Sequence, residues 1–344
     1  MDFYPLNRKP EQIAQESILR PGLFKDVAKG AGIFLVSATL LTSFSIHDEE
    51  ISRFESRTKT IPEPNGDFNI ISANVRYNAL FASDLMEEQG AEIGVFQETQ
   101  KDSIQELVDD IAGSTAIFAP SDYAVDWEEG GLGNTTVSVG PNTADSMRQI
   151  KGGLDIFGLF QGLIEREKSA IANSYKERRT ALLSSFRAEI DGVKVPLNAM
   201  NVHVGGGKLG KEQLDDVMEF ADDRMNSRSA VNIIFGDFNR TPREVKAVLN
   251  ETECDWIISE IGPTSRNDGR QIDHVIYKPF VKIGKKTFIV VVKPQLLQKK
   301  GSDHRAVDTV IHLVPILPLD ISNILAKIVG TNKVDDQYSV DIDK

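Results

Sequence analysis

The chain has 344 residues, of which 40% are hydrophobic and 26% are charged, a composition that is ordinary for a globular protein. Its formal net charge of −12 argues against a protein that presents a generally basic surface to nucleic acid or anionic lipid. The single cysteine, Cys254, excludes an intrachain disulfide and a cysteine-based metal site.

An uncharged run, "GAGIFLVSATLLTSFSI", occupies residues 30–46, with Lys25 and Lys29 before it and three acidic residues shortly after it. Its length is at the short end for a membrane-spanning helix, and the lysines fit the positive-inside rule with residues 1–29 in the cytoplasm. We therefore expect a transmembrane anchor or a signal sequence, with the rest of the protein membrane-anchored or secreted outside the cytoplasm. The alternative is a core helix in a cytoplasmic protein.

Residues 47–67 are charged, contain proline and lack apolar periodicity, which is typical of a linker. Strand patterns then alternate with helix patterns over residues 68–313, a length that one α/β core can support. This alternation predicts paired β-sheets flanked by helices. The segment 314–344 is expected to form a C-terminal helix followed by a polar tail.

Polar side chains recur at the edges of the predicted strands. These are Asn74, Glu98, His203, Asp237 with Asn239, Asp273, and Asp303 with His304. A single polar residue at a strand edge is usually a turn former. Its repetition at so many strands indicates one cleft that all of these side chains line. Oxygen ligands such as Asn74, Glu98 and Asp303 suit Mg²⁺ or Mn²⁺. An aspartate that deprotonates water, together with a histidine oriented by a carboxylate, would complete a site for attack on phosphorus.

The stretch "VNIIFGDFNRTP" leaves two interpretations open by itself. Asp237 and Asn239 are two residues apart at the end of an apolar strand, so they point to the same side if the chain stays extended. They could equally form an Asx turn that ends the strand.

In their order along the chain, these motifs resemble the endonuclease/exonuclease/phosphatase superfamily of metal-dependent phosphoesterases. The resemblance covers Asn74 to His304 and implies a DNase I-like α/β (α+β) fold, a four-layer sandwich of two packed β-sheets with helices outside.

The resemblance also implies a role for each matched residue. Asn74 and Glu98 would hold the metal, with Asp303 near it. Asp237 would align or deprotonate the attacking water. Asn239 and His203 would grip the phosphate, and His304 would be the acid–base partner polarised by Asp273.

Two further stretches match the superfamily on the substrate side. By this resemblance, "GGLGNTTVS" would place Asn134 near the substrate, and "ERRTALLSSF" would make Arg179 a phosphate-facing residue, with Arg178 as the second choice. Between them, residues 141–176 are longer than the resemblance predicts. The apolar block within this insertion is expected to pack on the domain, with a substrate lid or membrane-dipping element as the alternative.

Basic residues lie beside several of the motifs, among them Arg76, Arg240, Arg270 and Lys299. This clustering favours a polyanionic substrate, with nucleic acid first because an extended phosphodiester uses several such contacts. The alternative is a phospholipid or phosphoinositide phosphoesterase at a membrane reached through residues 30–46, and the third class is a non-catalytic binding module. The sequence identifies no protein partner.

Overall fold

The computed structural model describes residues 51–57, 68–121, 131–139, 144–150, 179–251 and 255–316. All of them belong to one compact unit, Glu50–Lys344. The strands are β1 Ser52–Glu55, β2 Phe68–Asn74, β3 Ile93–Gln100, β4 Ser114–Ser121, β5 Leu132–Val139, β6 Ala144–Ile150, β7 Arg179–Ile190, β8 Val193–His203, β9 Val231–Asp237, β10 Ile257–Ile258, β11 Asp273–Tyr277, β12 Phe280–Ile283, β13 Lys286–Leu296 and β14 Val307–Pro315. The α-helices are α1 Ala79–Gln89, α2 Ile104–Asp110, α3 Gly207–Arg224 and α4 Pro242–Glu251.

The described strands form two mixed sheets. One has eight strands in the order β1-β4-β5-β3-β2-β14-β13-β12, and the other has six in the order β10-β11-β9-β8-β7-β6. Each contains one parallel pair, β2 with β3 and β8 with β9, while the other pairs are antiparallel. The carboxyl ends of a parallel pair reach the same sheet edge, so each sheet brings two strand ends together.

Successive side chains of the central strands point to opposite faces and pack into three separate apolar layers. Ile70 of β2 and Ile233 of β9 belong to the core between the sheets. The next residue in each strand, Ile71 and Ile234, packs instead with helices, α1 and α2 on one side and α3 and α4 on the other. Successive strand residues point to opposite faces, so strands buried on both faces read as continuous apolar runs. The α+β sandwich predicted from the sequence is confirmed.

Helix α3 illustrates how the pattern predicted an element. Leu214, Val217, Met218 and Ala221 recur at helical spacing, and all four are buried in the core beneath the helix. The helix begins at Gly207, ahead of the first of these four residues. Its start lies in the glycine-rich stretch that directly follows the strand end at His203.

The structure differs from the sequence reading at strands that lack a strong apolar pattern. The predicted linker at residues 47–67 contains β1, which pairs with β4 at an edge of the larger sheet. Strand β1 is only four residues long and is held mainly by backbone hydrogen bonds, so its sequence shows little apolar periodicity. Its Phe54 packs against the core. The sequence reading also left out β4 and β12, and β6 lies within the predicted insertion.

Several predicted segments lie outside the described residues. They include residues 1–29, the uncharged run 30–46, the apolar block of the insertion, and the chain from residue 317 onward. Within the described ranges, no helix is both long enough and apolar enough to cross a membrane. The domain boundaries and the membrane anchor therefore stay predictions.

Gly236 permits a close approach between β9 and its parallel neighbour β8 directly before Asp237. Its φ of +146° disfavours a side chain, and a Cβ there would lie 1.9 Å from the carbonyl oxygen of Val202. We expect Gly236→Ala to lower the free energy of unfolding by about 3 kcal/mol or more. Chemical denaturation would measure this loss. Gly192→Ala is the matched control, because its φ is +72° with nothing within 4 Å of the added atom. Equal losses of unfolding free energy in the two variants would contradict the explanation by the close approach of β9 to β8.

Candidate active site

Five of the predicted site residues lie where the two sheets bring strand ends together. Asn74 ends β2, Glu98 lies near the end of β3, His203 ends β8, Asp237 ends β9 and Asp273 begins β11. Within the smaller sheet, Asp237 lies directly opposite both His203 and Asp273 in the strand register. Strand pairing alone therefore places an imidazole and two carboxylates side by side.

Asn74 joins the two sheets at this point. Its Nδ2 donates to Glu98 Oε1 at 3.0 Å and to Asp237 Oδ2 at 3.3 Å, so one amide contacts a carboxylate from each sheet. Glu98 adopts a left-handed φ of 54°, an uncommon conformation for a non-glycine residue. Strained backbone of this kind clusters at functional sites, where the surroundings hold it in place.

Asp237 is the centre of the cluster and is 1% exposed. Its Oδ1 accepts the backbone N–H of Asn239 at 2.9 Å. Its Oδ2 lies 3.5 Å from His203 Nε2 and 3.6 Å from His304 Nε2. Burial, with a further contribution from the Asp273 carboxylate, raises the pKa of Asp237 to about 7. This carboxyl group can therefore gain and lose a proton near neutral pH.

The two histidines beside Asp237 differ in charge. His304 Nδ1 lies 3.0 Å from Asp273 Oδ2. Burial lowers the pKa of His304, but the hydrogen bond and the charge of Asp273, with a smaller effect from Asp237, outweigh burial and raise it to about 9. Burial lowers the pKa of His203 well below its usual value, and the positive charges of Arg179 and His304 add to this effect. His304 is thus an imidazolium held by a carboxylate, whereas His203 is a neutral imidazole.

The two residues expected to face the substrate are buried. Arg179 is 5% exposed, and its Nη1 lies 2.8 Å from Nδ1 of His203. Asn134 is 1% exposed, and its Nδ2 donates to the backbone carbonyls of Thr180 at 2.6 Å and Asn201 at 3.4 Å. In this structure Arg179 supports His203, and Asn134 lies between the sheets, so direct phosphate contact by either stays a prediction.

Asn239 takes a left-handed φ of 49°, and its side-chain Nδ2 donates to the carbonyl of Val204 at 2.9 Å. The second amide hydrogen and the amide oxygen remain chemically able to contact a ligand. The chain does not stay extended here, because β9 ends at Asp237 and the Asx turn forms, and this turn is itself part of the cluster.

Asp303 is tied to this cluster through Arg76. Its carboxylate lies 3.1 Å from Arg76 Nη1 and 3.3 Å from Asn267 Nδ2. The backbone N–H of Arg76 donates to Asn74 Oδ1 at 3.2 Å, so Arg76 stands between Asp303 and Asn74. Asp303 is therefore close to the predicted metal ligands, but in this structure its partner is an arginine.

The donor set fits a hard divalent cation. Asp237, Asp273 and His304 carry potential ligand atoms within 4.8 Å of one another, but His304 could bind an ion only in its neutral form. Asn74 contacts Glu98 Oε1 and Asp237 Oδ2 through its Nδ2, and its amide oxygen accepts the backbone N–H of Arg76. Carboxylate and amide oxygens are the ligands that Mg²⁺ and Mn²⁺ prefer. The residues present can hold such an ion, although the geometry does not identify it.

A family comparison agrees with this arrangement of site residues. The model of the endonuclease/exonuclease/phosphatase family matches residues 71–304, well over half of the chain. The chain belongs to this family. A search of curated proteins found no match.

Solved structures with the same fold include other members of the endonuclease/exonuclease/phosphatase family. One from Bacteroides vulgatus is 14% identical with a TM-score of 0.53, over 72% of this chain and 99% of that one. The human Nocturnin catalytic domain with bound sulfate is 14% identical with a TM-score of 0.51, over 72% and 94%. A functionally unknown conserved protein from Enterococcus faecalis V583 is 13% identical with a TM-score of 0.50, over 72% and 100%. At these identities the likeness establishes the fold.

The structure also shows supporting residues of this family member that sequence reasoning had not assigned to the site. Gln97 Nε2 donates to Asn201 Oδ1 at 2.8 Å, and Asn201 Nδ2 donates to the carbonyl of Phe96 at 2.9 Å. This buried network connects the residue before Glu98 with the residue two positions before His203. The signal for Asn201 was present in the sequence, because an amide within the apolar run "PLNAMNVHV" needs buried partners.

Proposed function

We propose that the protein is a metal-dependent phosphodiester hydrolase, specifically a nuclease that cleaves DNA or RNA by attack of an activated water on phosphorus. The observation that supports this most is the position of the Asp237 carboxylate, which is buried with its Oδ2 3.5 Å from His203 Nε2 and 3.6 Å from His304 Nε2, and burial raises its pKa to about 7. A carboxylate with such a pKa can accept a proton from water at the pH of the cell.

Each side chain of the site has a separate role in the proposed reaction. Asp237 orients the water and accepts its proton as the new bond to phosphorus forms. His203 and Asn239 contact the non-bridging oxygens, where negative charge develops in the transition state. His304, held by Asp273, gives its proton to the leaving oxygen as the old bond breaks. Asp237 Oδ2 lies 3.6 Å from His304 Nε2, close enough to return its proton to His304 after a small movement.

A divalent ion, Mg²⁺ with Mn²⁺ as the substitute, would be held by Asn74 and Glu98, with Asp303 nearby. When bound, it would withdraw charge from the phosphate oxygens as a Lewis acid. Before Asp303 could contribute, its carboxylate would have to exchange Arg76 for the ion. Both partners are partly exposed, with side-chain exposures of 59% for Arg76 and 27% for Asp303, and such pairs contribute little free energy.

The basic residues around the site give weaker support to nucleic acid than their number suggests. Arg240 pairs with Glu244 at 3.0 Å, Arg270 with Asp268 at 2.5 Å, and Lys299 with Glu88 at 2.7 Å. These carboxylates neutralise much of the local positive charge. A phosphate backbone can replace the Asp268 carboxylate at Arg270, because an ion pair between two exposed side chains contributes little free energy.

A substrate panel tests this choice. Full-length protein with Mg²⁺ would be incubated separately with supercoiled plasmid, single-stranded RNA, sphingomyelin vesicles, phosphoinositide vesicles and p-nitrophenyl phosphate. We expect cleavage of nucleic acid, with lipid and monoester turned over at least about a hundredfold more slowly. Turnover of a lipid with both nucleic acids intact would overturn the nuclease assignment in favour of a phospholipid or phosphoinositide phosphoesterase.

The pKa values of Asp237 and His304 predict a bell-shaped pH profile of kcat/KM. Asp237 acts as a base only when it is deprotonated, so activity should rise through pH about 7. His304 acts as an acid only when it is protonated, so activity should fall through pH about 9. Kinetics from pH 5 to pH 10 at constant ionic strength would record both limbs. If His304→Gln left the alkaline limb in place, the assignment of that limb to His304 would be wrong.

A further inference from the structure

His274 follows Asp273 on β11 and is 1% exposed. Its ring meets Phe238 edge-on, with 5.4 Å between the ring centroids. His274 Nε2 lies 2.6 Å from the carbonyl oxygen of Arg240. The mechanism proposed above does not use His274, yet its partner is the residue directly after Asn239.

The neighbours of His274 select one tautomer. Its Nδ1 lies 3.0 Å from Gln271 Nε2, a nitrogen that can only donate. The orientation of the Gln271 amide is set by its oxygen, which accepts the backbone N–H groups of Ile261 at 3.3 Å and Gly262 at 3.1 Å. Nδ1 must therefore accept, the proton resides on Nε2, and His274 donates to Arg240. In a neutral histidine, a hydrogen bond at one ring nitrogen determines whether the other nitrogen donates or accepts.

The accepting carbonyl belongs to a strained turn. Asn239 has a left-handed φ of 49°, and its backbone N–H donates to Asp237 Oδ1 at 2.9 Å. This conformation is uncommon for a non-glycine residue, although asparagine tolerates it better than most, and the surroundings help to hold it. On the far side of Arg240, Thr241 donates its backbone N–H to Glu244 Oε2 at 2.8 Å and fixes the start of α4. Between these two anchors, the hydrogen bond from His274 holds the carbonyl of Arg240.

We propose that His274 is a positioning residue that clamps the carbonyl of Arg240 and thereby keeps the turn that directs the Asn239 N–H onto Asp237. The clamp is built from β11, the strand that also carries Asp273, so one short segment places both the partner of His304 and the turn beside the proposed base. The kinetic part of this inference rests on the proposed function, whereas the tautomer does not.

The test compares His274→Gln with His274→Asn in the full-length protein. Glutamine has its Nε2 as many bonds from Cβ as the imidazole Nε2, so it can reach the Arg240 carbonyl, whereas asparagine is one carbon shorter. We expect His274→Asn to lower kcat for plasmid cleavage by about 10- to 100-fold with KM within about twofold. His274→Gln should recover to within about threefold of wild type. His312→Gln is the matched control, since His312 pairs with Asp191 on an exposed part of the sheet, and it should leave kcat unchanged.

Equal kcat in the two His274 variants and wild type, after correction for the folded fraction, would overturn the clamp. A loss in both variants that follows the melting temperature, without rescue by glutamine, would overturn it as well by showing a purely structural role. The tautomer provides a readout independent of activity. The ¹⁵N chemical shifts of His274 should show a neutral ring protonated at Nε2, and a ring protonated at Nδ1 would overturn the clamp even if no substrate were cleaved. Failure of wild type to cleave any substrate, with the Nε2 tautomer observed, would instead refute the proposed function and support the clamp.

Discussion

Asp237→Asn should lower kcat for phosphodiester cleavage by on the order of a hundredfold or more, the usual effect of losing a positioned acid–base group. Asparagine keeps the size of the side chain and an oxygen that can accept the Asn239 N–H, so the turn should survive. What it removes is the group that accepts the proton of the attacking water. Steady-state kinetics on plasmid or a chromogenic diester would measure the loss.

The stability of the Asp237→Asn variant separates a base from a turn former. Because the pKa of Asp237 is raised in the folded protein, its charged form costs stability, and this cost grows as the pH rises through about 7. The melting temperature of Asp237→Asn relative to wild type should therefore be higher at pH 8 than at pH 5. A lower melting temperature at both pH values, with near-normal turnover by the folded fraction, would support the turn-former interpretation instead.

His304→Ala should cause a loss of similar size, about a hundredfold in kcat, because it removes the imidazolium that contacts Asp237 and is held by Asp273. Combining it with Asp237→Asn should cost less than the product of the two single losses, since both residues serve one chemical step. A double-mutant cycle on kcat would measure this coupling. His312→Ala serves as the control for the loss of a histidine that pairs with an aspartate elsewhere.

Fully multiplicative losses in the double variant would contradict the shared step. A normal rate in His304→Ala would show that the contact with Asp237 has no part in the proton transfer.

The sequence patterns, together with the family resemblance, were sufficient to predict the fold and to place Asn74, His203, Asp237 and Asp273 at strand ends. Apolar runs that end in a polar residue place that residue at a sheet edge, and parallel pairing then brings neighbouring edges together. Asn74, His203, Asp237 and Asp273 follow from this logic, because each one ends or begins a strand. No conformational detail was needed for that step.

The partners of these residues could not be predicted, because they come from distant parts of the chain. Period-two alternation says which face a strand residue occupies, but it does not say whether that face meets a ligand or the opposite sheet. The family resemblance implies that Asn134 lies near the substrate, and its side chain is 1% exposed in this structure, so that contact stays a prediction. In the same way, the ion pair of Arg76 with Asp303 depends on the antiparallel register of β14 against β2, which local sequence does not determine.

Short strands that are held mainly by backbone pairing were also difficult to predict from the sequence. Strand β1 buries little apolar surface, so its sequence resembles a linker, and only its pairing with β4 makes it a strand. The His274 clamp is similar, since a histidine within an apolar strand is as compatible with a metal ligand as with a donor to a neighbouring turn.

The central claim is that these residues hydrolyse a phosphodiester with a divalent ion, and the conversion of supercoiled to nicked plasmid with and without chelator tests it most directly. Full-length protein stripped of metal with EDTA should leave the plasmid intact, and excess Mg²⁺ or Mn²⁺ should restore nicking. Asp237→Asn, purified in parallel, should remain inactive under both conditions and thereby exclude a contaminating nuclease. Nicking at an undiminished rate in the chelator, or equal nicking by Asp237→Asn, would contradict the account.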